Sequence, residues 1–241
     1  MELTFDDFKQ RAKDKTLSNW EKIGFPDSYR KNIEGEIFLD ISNKVNLKAN
    51  NINVLDIGCG CSELVDIFIT NSKTYEQQLY LVDSEEMLEN INKNGIPSNV
   101  HFLPGYFPNI EFLENKKSFF DVIIVYSVIQ YVFLEQSIYN FIHQCLILLK
   151  NGGHLLIGDI PNFSSRERFL ESNEGKDFFK NIIEQKSNLK FEHSNSERID
   201  DAIIISLLSR FRSFGCETYL LPQAKELPFS NRREDILIIK R

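Results

Sequence analysis

Two aspartates and a pair of glycines are the first residues in this chain whose types and spacing could do chemistry. Asp56 stands two positions before Gly58 in the triplet Gly58-Cys59-Gly60, and Asp83 follows Asp56 by 27 residues. Gly58 and Gly60 free the backbone to turn sharply beside a ligand, and such a turn exposes backbone N–H groups. Asp56 can attract the ammonium of an amino-acid tail. A carboxylate at Asp83 can accept hydrogen bonds from both hydroxyls of a ribose, with helix capping as its competing role. The turn suits either a dinucleotide or an adenosyl group that carries an amino acid. A G-x-G-x-x-G fingerprint counted from Gly58 would need glycine where Glu63 stands, which favours the adenosyl group.

The elements that must position these groups are legible around them. Val54, Leu55 and Ile57 form a short apolar run suited to a strand covered on both faces. Ser62 can cap a helix carrying Leu64, Val65, Ile67 and Phe68. Gln78 to Asp83 reads as the next strand, so the spacing between the two aspartates fits one β-α-β unit. Glu85, Glu86 and Met87 follow in a helix, with Met87 placed to pack on an adenine. Val100 to Tyr106 is a third strand and its exit, and Val122 to Val125 a fourth, from whose end Tyr126 and Ser127 emerge before Gln130 and Tyr131 open a helix. Ser137 to Leu149 reads as a helix stopped by Lys150-Asn151-Gly152-Gly153, and His154 to Ile160 as a fifth strand ended by Pro161. His154, at the far end of that strand, is read as structural.

Open parallel sheets bind ligands at the C-terminal ends of their strands. That rule gathers Tyr126, Ser127, Gln130, Tyr131, Asp159 and Asn162 at one mouth. Asp159 is the first candidate for a general base or substrate-orienting group, although strand-end acids also serve as caps. Gln130 and Tyr131 are candidate acceptor-side residues, or packing residues of a helix start.

The run Val54-Leu55-Asp56-Ile57-Gly58-Cys59-Gly60, the acid Asp83 and the stretch from Phe119 to Tyr131 resemble motifs I, II and IV of the class I S-adenosylmethionine-dependent methyltransferases. The resemblance covers roughly residues 35–241. It implies a Rossmann-like α/β fold: a seven-stranded, mostly parallel sheet with helices on both faces and a last strand that enters antiparallel. The whole chain is then one domain, with an N-terminal helical cap over residues 1–46 and a lid or insertion over 163–198. S-adenosyl-L-methionine is the implied cofactor and S-adenosyl-L-homocysteine the product, contacted by Asp56, Gly58, Cys59, Gly60, Asp83, Ser84, Met87, Tyr106, Phe107, Tyr126 and Ser127. Many members place an acid after the glycine that matches Gly105, to hold the adenine amino group; this chain has Tyr106 and Phe107, so stacking or a backbone contact would replace that bond. Gly158-Asp159-Ile160-Pro161-Asn162, Arg166 with Arg168, Leu221-Pro222-Gln223 and Asn231-Arg232-Arg233-Glu234-Asp235-Ile236 look like segments of bacterial capsule and surface-polysaccharide methyltransferases. That likeness implies a small anionic or nucleotide-linked acceptor, with O-methylation of a phosphoramidate or sugar. A methyltransferase of another small metabolite, or a silent S-adenosylmethionine-binding regulator, would carry the same first motif.

Methyl transfer is an in-line displacement, so positioning and water exclusion matter more than a large catalytic constellation. Tyr29, Arg30, Asn162, Arg166, Arg168, Arg232 and Arg233 are the candidates for meeting the acceptor; the competing reading of these arginines is solvated charge. The segment from Trp20 to Arg30, rich in aromatics and broken by Gly24 and Pro26, reads as a loop able to fold over a site. With 241 residues and a net charge of −7 the chain lacks the basic balance of a general nucleic-acid surface. Its start has no signal-peptide pattern and no apolar run approaches a membrane span, so a cytoplasmic protein without membrane insertion is expected. Cys59, Cys61, Cys145 and Cys216 have no C-x-x-C spacing, and neither a disulfide framework nor a metal site is expected.

Overall fold

The computed structural model describes residues 3–91, 95–183 and 198–241. Four helices precede the sheet: α1 (Phe5–Lys13), α2 (Asn19–Lys22), α3 (Asp27–Arg30) and α4 (Glu34–Lys44). Reciprocal capping boxes start the first two, Thr4 with Asp7 and Ser18 with Glu21, each pair satisfying donors that a helix start leaves open. The segment from Trp20 to Arg30, expected as a loop, is therefore two single helical turns hinged at Gly24-Phe25-Pro26. The capping box and Pro26 at the N-cap of α3 supply the start signals.

The chain then runs β1 (Asn53–Ile57), α5 (Glu63–Thr74), β2 (Gln78–Asp83), α6 (Glu85–Leu88), β3 (Val100–Pro104), α7 (Glu111–Glu114), β4 (Phe120–Tyr126), α8 (Ile129–Glu135), α9 (Ile138–Leu148) and β5 (Leu149–Pro161). It ends with α10 (Phe163–Glu171), α11 (Asn173–Ile183), α12 (Asp201–Ser213), β6 (Glu217–Pro222) and β7 (Arg233–Ile239). The strands form one sheet in the order β3-β2-β1-β4-β5-β7-β6. β1 to β5 pair in parallel, and β7 runs antiparallel to both β5 and β6. This is the Rossmann-like α/β architecture. The strand order reverses between β1 and β4, where the crevice of such a sheet opens.

Alternation along each strand divides the core into two layers. Leu55, Ile57, Ile123 and Val125 face the layer of Phe141, Ile142 and Phe211, while Val54, Val122 and Ile124 face that of Ile41, Val65 and Phe68. Each such side chain contributes about 1.5–3 kcal/mol when fully buried, so the sheet centre is a stiff platform for the loops at its edge. β5 begins at Leu149, ahead of the expected His154, because a shift in register against β4 between Phe120 and Val122 lets the Lys150–Gly153 stretch join the strand. Within the expected lid, residues 163–183 form α10 and α11; the remaining part of that stretch, 184–197, lies outside the described residues.

One cap differs from the sequence expectation. Ser62 occupies the N-cap position of α5 but makes no side-chain cap bond. Leu64 N–H instead donates to Glu34 Oε2 at 2.7 Å, a carboxylate brought from the start of α4 and wholly buried. A carboxylate there also complements the positive end of α5, so the packing of two helices replaces a local cap.

Candidate active site

The turn after β1 is shaped by contacts that admit no side chain. Gly58 and Gly60 have φ of +74° and +67°; a Cβ on Gly58 would lie 2.5 Å from Val128 Cγ2, and one on Gly60 2.7 Å from Ile23 Cγ2. Gly60 N–H donates to Asp83 Oδ2 at 2.9 Å and Ser84 N–H to Asp83 Oδ1 at 2.7 Å. Asp83 thus fixes the turn to the end of β2 while its carboxylate faces the cavity beyond. Burial pushes the Asp83 carboxyl up to about 6 against the pull of those two N–H groups. Asp56 is pushed up to about 7 by burial and then by Asp83.

That cavity lies over the switch point of the sheet. Gly58, Cys59, Gly60 and Asp83 form its floor, Met87, Tyr106 and Phe107 one wall, and Tyr126, Ser127 and Tyr131 the opposite side. α1 supplies a roof. Phe5 meets the Tyr106 ring edge-on at 4.8 Å, Phe8 meets Tyr131 in the same way at 4.8 Å, and Phe5 N–H donates to Glu135 Oε1 at 2.9 Å. Gln136 Nε2 donates to the Tyr106 hydroxyl at 3.1 Å, holding the ring against the wall. Two expected cofactor residues stand elsewhere. Asp56 is buried beneath the turn and Ser84 serves as N-cap of α6, accepting from Met87 N–H at 3.2 Å; neither lines the cavity.

Asp159 is also placed differently from a general base. Its carboxylate accepts from Arg30 Nη2 at 3.2 Å, from Ser127 Oγ at 2.5 Å, from Gln223 Nε2 at 3.3 Å and from Arg233 Nη1, while its own N–H donates to Asp235 Oδ1 at 2.9 Å. With its oxygens already accepting from two guanidiniums, a hydroxyl and an amide, this carboxylate presents no open position to a substrate proton. Asp159 lines a small pocket with Tyr29, Arg30 and Arg233; this pocket shares Phe25, Arg30 and Tyr126 with the cavity over the switch point, which Asp159 itself does not line. Arg30, expected to meet substrate, is largely buried yet lines both that pocket and the cavity over the switch point; its guanidinium lies 4.1 Å from the centre of the Phe25 ring and donates to Ser127 Oγ at 2.5 Å. Ser127 and Asp159, at the ends of β4 and β5, both adopt left-handed backbone with φ of +60° and +59°. Such conformations cost about 1–3 kcal/mol and persist where the surroundings impose them, as this hydrogen-bonded pair does.

A wider cleft adjoins the cavity through Tyr131 and contains Gln130, Asn162, Arg166, Arg232 and Arg233 together with Arg198. Gln130 Nε2 donates to Ser127 O at 2.8 Å, and its buried Oε1 has no hydrogen-bond partner among the described residues. Asn162 caps α10 and donates to Asp201 and Glu234, both at 2.7 Å. Arg168 lies outside: more than half exposed, it pairs with Asp201 at 2.6 Å and points along the surface, because α10 turns that position away from the cleft.

A model of the methyltransferase domain matches residues 48–203, well over half of the chain. The chain belongs to this methyltransferase-domain family. Among proteins of curated function none matches it by sequence. A Methanococcus maripaludis protein described as an S-adenosyl-L-methionine-dependent methyltransferase superposes with a TM-score of 0.57 at 17% identity, covering 100% of this chain and 94% of that one. The plantazolicin methyltransferase BpumL, solved with S-adenosylhomocysteine, gives 0.61 at 17% identity with 98% of each chain covered. The CurJ carbon methyltransferase gives 0.57 at 11% identity over 97% of this chain and 66% of its own. S-adenosylmethionine is the cofactor of a methyltransferase on this sheet, and the residues present fit it: an acid at the end of β2, a turn with no room for side chains, and aromatic walls in one cavity.

Sequence reasoning missed Gln223, Asp235 and Glu34, whose signals are only their burial and their partners far along the chain. It also gave no site role to the roof residues Phe5 and Phe8 of the N-terminal cap, whereas Phe25, which lines the cavity too, falls in the segment from Trp20 to Arg30 expected to fold over a site. Among the described residues no helix is long and apolar enough to cross a membrane.

Proposed function

We propose that this methyltransferase domain moves the methyl group of S-adenosylmethionine to an oxygen of a small anionic acceptor. The observation that carries the reading is Asp83, fixed by Gly60 and Ser84 N–H groups at the floor of a cavity walled by aromatic rings. In this reading Asp83 receives the ribose hydroxyls. Met87, Tyr106 and Phe107 flank the adenine, the Gly58–Gly60 backbone borders the amino-acid tail, and Asp56 favours its ammonium through space. The bound cofactor supplies an electrophilic methyl on a sulfonium. Tyr126, Ser127 and Tyr131 border the path from that methyl to the cleft, and the α1 rings exclude water from it.

The engagement of Asp159 with two arginines supports an acceptor oxygen that is already anionic, which requires positioning more than proton removal. The capsule and surface-polysaccharide setting is supported by the likeness of Gly158–Asn162 and Asn231–Ile236 alone. Calorimetric titration with S-adenosylmethionine and, in parallel, NAD tests the cofactor assignment. Micromolar binding of the first without response to the second is expected, weakened at least tenfold in Asp83→Ala. Unchanged affinity in a folded Asp83→Ala protein removes the ribose role. Release of S-adenosylhomocysteine on addition of anionic acceptors then tests transfer.

A further inference from the structure

Four arginines, Arg166, Arg198, Arg232 and Arg233, line the cleft that Tyr131 shares with the cofactor cavity, and no Asp or Glu side chain lines it among the described residues. In a chain of net charge −7 such a grouping is local and directional. Arg232 is held by rings, with its guanidinium 4.4 Å from the centre of Phe229, 5.0 Å from Phe169 and 5.2 Å from Phe178. Among the described residues no carboxylate pairs with it. Aromatic faces orient a cation without neutralising it, so Arg232 keeps its charge for a ligand. Burial together with Arg166 and Arg233 pulls the Arg232 guanidinium below its ordinary value, and burial with Arg198 does the same to Arg166 despite the opposing pull of Glu167. Among the described residues, three acids near the cleft are engaged elsewhere: Glu234 and Asp201 accept from Asn162, Asp201 also from Arg168, and Asp159 from Arg233. The repulsion that Arg166 and Arg233 exert on Arg232 is one that an incoming anion relieves.

We propose that this cleft is a phosphate-binding subsite for the methyl acceptor, with Arg166 and Arg232 as its anion-binding side chains and Gln130 Oε1 as the atom that takes a hydrogen bond from the acceptor's own donor group. The second half of the assignment rests on the methyltransferase reading above. A phosphate fits better than a carboxylate because its several anionic oxygens engage two guanidinium forks at once, whereas a carboxylate saturates one. Gln130 lines the cleft, and its amide nitrogen donates to the carbonyl oxygen of Ser127, a residue that borders the cofactor cavity; its buried Oε1 has no hydrogen-bond partner among the described residues and is left for a donor that the acceptor brings. The acceptor is thus a phosphorylated small molecule whose organic part reaches past Tyr131.

The test is calorimetric titration of the full chain with inorganic pyrophosphate, with succinate as the carboxylate comparison, each variant being titrated with S-adenosylmethionine as well. Pyrophosphate should bind at least tenfold more tightly than succinate. Arg232→Gln and Arg166→Gln should each weaken pyrophosphate binding tenfold or more while leaving S-adenosylmethionine affinity unchanged, which also shows that they fold. Lys48→Gln, an exposed lysine far from the cleft, should change neither. Asp83→Ala should lose cofactor affinity and keep pyrophosphate affinity. No pyrophosphate binding by protein that binds S-adenosylmethionine overturns the subsite, as does equal binding of succinate or equal weakening by Lys48→Gln. Pyrophosphate binding that depends on Arg232 in protein that ignores S-adenosylmethionine refutes the methyltransferase reading instead, and with it the role of the cleft in holding an acceptor.

Discussion

Replacing Asp159 by Asn separates a structural anion from a catalytic base. Asn keeps the volume and tolerates the left-handed backbone at this position, φ +59°, so the change removes charge without adding strain. What remains is Arg30, whose side chain is 6% exposed, and Arg233 at 17%, both deprived of their shared counter-charge. Removing one partner of a buried ion pair costs about 3–5 kcal/mol, because the cation left behind is neither solvated nor paired. At about 2–4 °C per kcal/mol for a chain of this size, the melting temperature should fall by roughly 6–20 °C. Thermal unfolding of the two proteins measures this directly. Adding Arg233→Gln removes one stranded cation, so the double variant should be more stable than the sum of the single effects predicts, by about 0.5–3 kcal/mol. A general base would give the opposite pattern: transfer slowed by about 10²–10⁴-fold with little loss of stability. An Asp159→Asn protein within about 1 kcal/mol of the parent would refute the argument that this carboxylate anchors the site.

The raised pKa of Asp83 makes cofactor affinity depend on acid. Its folded value, about 6 against an ordinary 3.8, means the anionic form that ribose hydroxyls need is lost as pH falls through about 6; affinity measured by calorimetry should decline there, and Asp83→Asn should flatten the profile. The linked stability runs the other way in the ligand-free protein. The folded state holds this proton more tightly than the unfolded chain, so the contribution of Asp83 to stability falls as pH rises from about 4 to about 6 and is level above that, measurable by denaturant titration across the range. Gly58→Ala should cost about 1–2 kcal/mol from the left-handed backbone alone and, by pushing Val128 off the turn, weaken cofactor binding at least tenfold; a variant that binds normally would show the turn to be less tightly fitted than its 2.5 Å approach indicates.

The parts of the molecule legible in the sequence are those set by local rules. Val54 to Gly60 reads as a buried strand and turn because apolar runs and glycines act on their immediate backbone, and Asp83 is found because one β-α-β unit has a narrow range of lengths. The Asp159 cluster follows no such rule. Arg30 lies 129 residues from Asp159 and Arg233 lies 74 away, and each reads in sequence either as a residue that meets the acceptor or as a solvated charge, not as a partner of Asp159. Glu34 displaced Ser62 as the cap of α5 for the same reason, since a partner 30 residues earlier reaches the helix start only after folding. Arg166 and Arg168 differ by two positions on one helix, enough to send one into the cleft and the other to Asp201 on the surface.

The antiparallel insertion of β7 between β5 and β6 has a consequence for the order in which the chain is made. β5 borders β4 on one side from the moment it forms, but its other edge waits for β7, and Asp159 N–H waits for a carboxylate 76 residues downstream. At a synthesis rate of about 5–20 residues per second that interval lasts roughly 4–15 s. Throughout it, an apolar edge carrying Leu155 and Ile157 stands open to any passing strand. Arg30 and Ser127 have already emerged by then and can engage Asp159, so the nascent chain can assemble the cofactor side of its site before its outer edge is sealed.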